Sequence, residues 1–238
     1  MAGGRGKLRS SPLEEQGDCF AFRAILEYGD MGMPNIAISM IVAYLLGSIP
    51  SAYIAGRLKK GIDIREVGGK NMGTLNVYYE VGLAEAALVL IVDMAKGVGA
   101  ILLPRWLELP VIWQLVAGFA SVAGHRFPVF LQFSGGRGGA PALAILGFLM
   151  PMAIPFFIAV AVIALIATQN YTFCYSVALI AFPFAAWLVY GSQPLMFFSI
   201  ALLLFLGINY IPRLREMHAK ADGKWHRVIK RSSVKQRL

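Results

Sequence analysis

Long apolar stretches separated by short polar segments run through almost the whole chain and predict a bundle of membrane-spanning helices. The apolar blocks cover residues 36–56, 82–103, 111–124, 140–168, 173–190 and 195–211. A helix needs about 20 apolar residues to cross the hydrocarbon core of a bilayer, and most of these blocks approach or exceed that length. Block 140–168 is much longer, and we expect Pro151 and Pro155 to divide it into two short helices.

The composition agrees with a membrane location. Hydrophobic residues make up 58% of the chain and charged residues only 15%, whereas about 25% of the residues in a soluble domain are charged. This balance excludes the soluble globular classes. The predicted fold class is an all-α polytopic membrane protein with about seven short transmembrane helices and glycine-rich loops on the cytoplasmic side.

Basic residues indicate which ends of the helices face the cytoplasm. Segment 57–81 holds five lysines and arginines, loop 125–139 holds two and the chain after Ile211 holds nine, but segment 104–110 has only Arg105. The positive-inside rule places the first three of these segments in the cytoplasm. This arrangement requires an odd number of crossings from an outside N-terminus to a cytoplasmic C-terminus. We therefore predict seven crossings, with five as the alternative.

The two ends of the chain differ from the membrane domain, which we assign to residues 34–212. Residues 1–33 are polar and lack the apolar core of a signal peptide, so we expect a disordered extension or a translation start at Met31 or Met33. Residues 213–238 form a predicted basic cytoplasmic tail. A basic segment directly after a membrane helix is typical of contact with anionic lipid headgroups; nucleic acid is the less favoured partner.

Cysteine and histidine residues give no sign of a metal centre. Cys19 and Cys174 lie in unlike contexts, and His125, His218 and His226 are too scattered to form a ligand set. We therefore predict no metal and no cofactor. Any site chemistry is expected to come from the polar loops.

The most informative polar segment contains residues 134–139, which we call the glycine loop. Four glycines surround Arg137 there. Irregular glycine-rich backbone is tolerated at membrane depth only where protein or water satisfies its polar groups. Exposed backbone N–H groups beside one fixed positive charge suit a phosphate or another anion. A plain cytoplasmic turn is the alternative interpretation.

Two further polar segments lie on the same predicted side of the membrane. Residues 47–51 read Gly-Ser-Ile-Pro-Ser and offer a proline kink, although close helix packing is the favoured explanation for them alone. Residues 68–76 carry Lys70, Asn71 and Asn76, which either recognise a ligand or form a polar turn. Together with the glycine loop, these segments predict a pocket at the inner leaflet for an anionic molecule the size of a lipid headgroup.

Asp93 and Lys96 are ionisable residues in the middle of the second apolar block. Asp93 and Lys96 are three residues apart and so share one face of a helix. Charged side chains inside a membrane span are costly and normally pair with each other or line a polar cavity. We expect a structural ion pair, with a brace beneath the active site as the functional alternative.

Four motifs across residues 34–212 occur in the order and at the spacing of a known family. They are Gly47-Ser48-Ile49-Pro50, Asn71-x-Gly73-x-x-Asn76, Asp93-x-x-Lys96-Gly97, and Gly124-His125-x-Phe127-Pro128-Val129-Phe130 with Gly135-Gly136-x-Gly138. The chain resembles the bacterial acyl-phosphate-dependent glycerol-3-phosphate acyltransferases, which are membrane enzymes of phospholipid synthesis.

The resemblance implies an enzyme of the bacterial inner membrane with a cytoplasmic active site among about seven helices. It implies transfer of a fatty acyl group from acyl phosphate to the 1-hydroxyl of glycerol 3-phosphate. The product would be lysophosphatidic acid, and neither a metal nor acyl-CoA would be required. Other enzymes of phospholipid synthesis are candidate partners.

The resemblance also implies roles for individual side chains. The implied catalytic residues are Asn71, His125 and Arg137. The implied substrate-binding residues are Ser48, Lys70, Asn76, Gly135, Gly136, Gly138 and Arg213, with Asp93 and Lys96 as a structural ion pair.

Several departures from the family pattern fall on positions that contact phosphate. Gly69, Leu75 and Tyr79 stand where the family has serine, threonine and arginine, and Ser134 and Arg137 stand where it has lysines. The histidine and asparagine that follow the family's last helix have no recognisable counterpart. We expect Arg137 to hold a phosphate in place of lysine. The alternative is a catalytically silent or substrate-shifted relative that binds lipid phosphates or partners an active acyltransferase, and a small transporter is the least favoured.

Overall fold

Helices form nearly all the regular structure in residues 32–230, which are the residues that the structure, a computed structural model, describes. The helices are α1 Gly32–Ser48, α2 Ser51–Lys60, α3 Thr74–Glu80, α4 Leu83–Trp106, α5 Val111–Arg126, α6 Gly139–Leu149, α7 Ile154–Thr168, α8 Tyr171–Ala178, α9 Ala181–Leu188, α10 Gln193–Lys220 and α11 Trp225–Ile229. Residues 32–230 contain no strand. The predicted all-α class is confirmed.

Five helical segments are long and apolar enough to cross a membrane. They are Gly32–Lys60, Leu83–Trp106, Pro151–Thr168, Tyr171–Leu188 and Gln193–Lys220. The first joins α1 with α2, and the fourth joins α8 with α9. Helix α5, with 16 residues, and α6, with 11 residues, are shorter. Seven crossings need both of these as short spans, so the count of seven stays a prediction.

Most of the predicted N-terminal extension and the last part of the predicted basic tail lie outside the described residues. Helix α1 already begins at Gly32, and α10 continues to Lys220. The apolar part of α10 and the start of the basic segment therefore belong to one continuous helix. The assignment of residues 34–212 as a separate domain stays a prediction.

The apolar block 140–168 is interrupted at Pro151. Helix α6 ends, the 3₁₀ turn Pro151–Ala153 follows, and α7 then begins. Pro151 lacks the N–H that would continue α6. Pro155 instead sits in the first turn of α7, where the missing N–H costs little because that group has no partner within the helix.

Helices α1 and α5 cross closely because each contributes a glycine to the crossing. Gly47 of α1 lies against the backbone of Ser121, and Gly124 of α5 lies against the carbonyl of Tyr44. A side chain at either glycine would overlap that backbone. The buried Ser48 hydroxyl donates to the Tyr44 carbonyl at 2.9 Å. The Gly-Ser-Ile-Pro segment therefore packs two helices at the point where α1 ends.

A second packed region fixes the position of α10. Ile145 and Leu146 of α6, Phe182 of α9 and Leu202 of α10 are fully buried in one apolar cluster. Because α6 begins at the last residue of the glycine loop, this cluster sets the loop against α10. The same contacts pack the N-terminal half of α10 against α6 and α9.

Gly47→Ala is expected to destabilise the bundle, because its methyl group would meet the backbone of Ser121. Overpacking of this kind costs about 1–3 kcal/mol, and thermal unfolding of the purified protein in detergent measures it. Gly99→Ala is the matched control, since no atom outside the local helix lies within 4 Å of a Cβ there and alanine favours a helix by up to about 1 kcal/mol. Equal melting temperatures for the two variants would contradict the close crossing.

Candidate active site

A buried ion pair ties α4 to the break between α1 and α2. Lys96 Nζ lies 2.9 Å from Asp93 Oδ1, and the two side chains are 4% and 2% exposed. Ser51 Oγ donates to Asp93 Oδ1 at 2.6 Å, and Lys96 Nζ donates to the Ile49 carbonyl at 3.0 Å. Buried charges are tolerated when they are both paired and hydrogen-bonded. The ion pair thus holds the end of α1 and the start of α2 against α4.

His125 connects this ion pair to the glycine loop. Its side chain is buried, and its Nδ1 lies 3.7 Å from Asp93 Oδ1. Gly136 packs on the imidazole Nε2, so a side chain at residue 136 would overlap the ring. The Gly136 N–H donates to the His125 carbonyl at 3.0 Å. The ring is therefore enclosed by the carboxylate on one side and by the loop on the other.

Backbone contacts hold the glycine loop in shape at the start of α6. Gly138 has a φ of 81°, in the left-handed region that favours glycine. The Tyr175 hydroxyl donates to the Gly139 carbonyl at 2.7 Å. Arg137, directly before Gly138, extends to α10, where its guanidinium carbon lies 5.0 Å from the centre of the Tyr210 ring. The loop thus places the positively charged side chain of Arg137 beside the C-terminal half of α10.

Three arginines meet where the glycine loop faces α10, and we call Arg126, Arg137 and Arg213 the arginine cluster. Arg126 Nε donates to Asn209 Oδ1 at 2.9 Å, one helical turn before Arg213. Arg137 lies over the ring of Tyr210, three residues before Arg213 on the same helix. Burial lowers the pKa of Arg137 below its ordinary value, yet a guanidinium remains charged at neutral pH. Neighbouring cations in partly buried surroundings favour a bound anion.

Asn71 and Asn76 fasten the loop between α2 and α3. Asn76 Nδ2 donates to the carbonyls of Ile64, Val67 and Asn71 at 2.9, 3.1 and 2.9 Å. Its Oδ1 accepts from the Gly69 N–H at 2.7 Å. Asn71 in turn bonds the Gly69 carbonyl and the N–H two residues ahead of itself, both at 2.7 Å. Both amides therefore shape the loop, and their direct contact with a substrate stays a prediction.

The structure separates the predicted site residues into two groups. The group at the helix ends and the glycine loop contains Ser48, Asp93, Lys96, His125, Gly135, Gly136, Arg137, Gly138 and Arg213. The group in the loop between α2 and α3 and in the first turn of α3 contains Lys70, Asn71 and Asn76. Lys70 is exposed and has a φ of 48°. The two regions touch where Arg65 Nη1 donates to the Leu131 carbonyl at 3.5 Å.

Four residues that contact these groups were not predicted from the sequence: Ser51, Arg126, Asn209 and Tyr210. For Asn209 a signal was available, because it lies four residues before Arg213 and therefore on the same face of one helix. Ser51 directly follows the proline of the first motif. Arg126 gave no such signal, since its partner lies 83 residues away in the chain.

The arrangement defines a class of protein: a polytopic helical membrane protein with a group of arginines where its glycine loop meets its last long helix. In residues 32–230 no group of three or more histidine, cysteine and acidic side chains could hold a metal ion. The family model for glycerol-3-phosphate acyltransferase matches residues 37–220. The chain belongs to the glycerol-3-phosphate acyltransferase family.

Two relatives, which align with this chain along nearly their full length, agree with this assignment. Glycerol-3-phosphate acyltransferase 2 of Dehalococcoides mccartyi (strain ATCC BAA-2266 / KCTC 15142 / 195) is 42% identical over 204 residues, which cover 85% of this chain and 97% of that protein. Glycerol-3-phosphate acyltransferase of Geotalea daltonii is 36% identical over 186 residues, which cover 77% and 95% of the two chains. The predicted family and enzyme class are confirmed, and the silent-relative alternative is not favoured.

Solved structures show the same fold. The crystal structure of PlsY (YgiH), an integral membrane glycerol 3-phosphate acyltransferase, in its glycerol 3-phosphate form has a TM-score of 0.71 and 26% identity, covering 79% of this chain and 94% of that one. Its lysophosphatidic acid form has a TM-score of 0.69 at 25% identity. The multi-pass membrane architecture is therefore that of the family.

Lys96→Met is expected to destabilise the protein by about 3–5 kcal/mol, because it leaves Asp93 as a buried carboxylate without its cation. Adding Asp93→Asn removes the second charge, and the double variant should recover most of the lost stability. Thermal unfolding in detergent of the wild type, the two single variants and the double variant gives the coupling free energy between Asp93 and Lys96. Strictly additive effects would contradict a pair that shares one buried environment.

Proposed function

We propose that this protein transfers a fatty acyl group from acyl phosphate to the 1-hydroxyl of glycerol 3-phosphate and releases lysophosphatidic acid and phosphate. The observation that carries the proposal is the arginine cluster beside the glycine loop. Membership of the glycerol-3-phosphate acyltransferase family supports the acceptor. The identity of the acyl donor rests on the resemblance in the sequence motifs.

The proposed chemistry requires little from the protein besides positioning. The acceptor oxygen attacks the acyl carbonyl carbon, the bond from that carbon to the phosphate oxygen breaks, and the acceptor proton passes to the departing phosphate. Acyl phosphate is already activated, so the rate depends on alignment and on neutralising the charge of the phosphates. Arginines bind phosphate in a bidentate manner. The arginine cluster therefore holds phosphate groups while the carbonyl and hydroxyl approach each other.

Arg137 occupies a position where the family has lysine, and its environment supports the same task. Its guanidinium is partly buried and stacks over Tyr210. This contact fixes the plane of the guanidinium, which reduces the ordering required on binding a phosphate. Arg126 is similarly oriented by Asn209 at 2.9 Å. Arg137 and Arg126 are thus positioned by their neighbours before substrate arrives.

Contacts between the basic segments support the proposed orientation in the membrane. Arg65 Nη1 reaches the carbonyl of Leu131, and Arg126 reaches Asn209, one helical turn before Arg213. The three basic segments of the sequence therefore meet at one end of the helices. The positive-inside rule assigns that end and the C-terminus to the cytoplasm of a bacterial cell and the N-terminus to the outside, and the basic residues after Ile211 contact anionic lipid headgroups there.

The first test is acyl transfer by the purified protein with palmitoyl phosphate and labelled glycerol 3-phosphate. We expect labelled lysophosphatidic acid, and we expect Arg137→Gln to lower kcat/KM by about 10-fold to 100-fold, because a lost charge-assisted hydrogen bond costs about 1.5–3 kcal/mol. Arg105→Gln is the matched control, since Arg105 lies in the last turn of α4, at the far end of that helix. Full activity in Arg137→Gln would exclude the cluster as the phosphate site, and no product from the folded wild type would exclude the reaction.

His125 was expected to be catalytic, and its enclosure favours a supporting role. We expect His125→Gln to lower the melting temperature and the activity together, because Gly136 packs on the ring. The pH dependence of the remaining activity should match that of the wild type. If the variant instead stays folded and loses one limb of the pH–rate profile, His125 is the general base.

A further inference from the structure

One carboxylate lies within the arginine cluster. Glu216 Oε2 lies 2.5 Å from Arg213 Nη1, and its other oxygen lies 2.9 Å from Lys220 Nζ. Arg213 follows Tyr210, over whose ring the Arg137 guanidinium lies, by three residues on α10. The protein therefore places its own anion beside the cations that are proposed to bind phosphate.

The spacing of these residues alone would suggest an ordinary surface pair. Glu216 lies three residues after Arg213 and four before Lys220, and exposed pairs of this kind contribute little to stability. The setting differs on the side of the cations, because the side chain of Arg213 is only 16% exposed and that of Arg137 is partly buried, whereas Glu216 itself is 45% exposed. Charges interact more strongly where less water screens them. The charge of Glu216 therefore bears directly on any anion that enters the cluster.

We propose that Glu216 is an internal counter-anion that competes with the substrate phosphate for Arg213 and so sets the affinity of the site. This inference rests on the proposed function and deepens it. A phosphate that binds Arg213 must displace or approach the carboxylate, and either event weakens binding. The acylated product keeps the phosphate of the acceptor, so an uncompensated cluster would hold product as firmly as substrate. Glu216 thus favours turnover, because it weakens the binding of the product phosphate as well as that of the substrate phosphate.

Glu216→Gln tests the proposal, because it keeps the shape of the side chain, removes its charge and suits a helix. Titration calorimetry of the full-length protein in detergent with glycerol 3-phosphate should give a Kd about fivefold to tenfold lower than that of the wild type. In the acyl-transfer assay, KM for glycerol 3-phosphate should fall while kcat stays equal or falls. Glu216→Asp keeps the charge and should remain closer to the wild type.

Asp222→Asn is the matched control. Asp222 is an acidic residue of the same C-terminal region, its side chain is 75% exposed, and it pairs with Arg227 at 2.9 Å. Its removal changes the net charge by the same amount and should leave Kd unchanged. Equal tightening in both variants would mean that overall charge is responsible, which would overturn a specific role for Glu216.

The two proposals fail in different ways. If Arg137→Gln weakens the binding of glycerol 3-phosphate but Glu216→Gln leaves it unchanged or weakens it, the phosphate site stands and the counter-anion is excluded. If Arg137→Gln has no effect on Kd, the arginine cluster is not the phosphate site. A tighter Kd in Glu216→Gln is informative because damage to the fold would weaken binding.

Discussion

A carboxylate and an ammonium group within a membrane must neutralise each other, and this requirement organises three helix ends in the present chain. Asp93 and Lys96 do so on α4, and their remaining hydrogen-bonding capacity reaches Ser51 and the Ile49 carbonyl. The break between α1 and α2 is therefore located by charge as well as by its proline. His125 lies between this ion pair and the glycine loop, because its Nδ1 is 3.7 Å from Asp93 Oδ1 and Gly136 packs on its ring. The position of that loop consequently depends on a pair of charges that has no need to touch a substrate.

The charges of the arginine cluster are balanced in another way. The ion pair on α4 is complete within the protein, whereas the cluster brings Arg126, Arg137 and Arg213 to one place with Glu216 as their acidic neighbour. A site that is already neutral would bind an anionic headgroup weakly. An excess of positive charge at the membrane surface draws such molecules in and orients them. The ion pair of Asp93 and Lys96 thus maintains the architecture, whereas the arginine cluster is available to a ligand.

The sequence was sufficient for those features that depend on length and on local chemistry. Apolar blocks of bilayer length gave the helices, and Pro151 gave the interruption between α6 and α7, because a missing N–H acts wherever it occurs. The asparagines of the second motif were harder to interpret. An amide can bond a ligand or its own backbone, and only the folded loop reveals that Asn76 meets three carbonyls. Arg126 was missed because its orientation depends on Asn209, which is distant in the chain.

The loop between α2 and α3 carries a consequence for how this enzyme family can diversify. Two asparagine amides bonded to main-chain groups help to maintain its shape, and the side chains at positions 70 and 79 take no part in these hydrogen bonds. Gly69, Lys70 and Tyr79 differ from the family pattern in or next to this loop, and its hydrogen bonds form nonetheless. Within this short segment, the asparagine amides thus maintain the structure, and other side chains are available for recognition. Such a division allows the surface that faces a substrate to change by single substitutions while the frame beneath it persists.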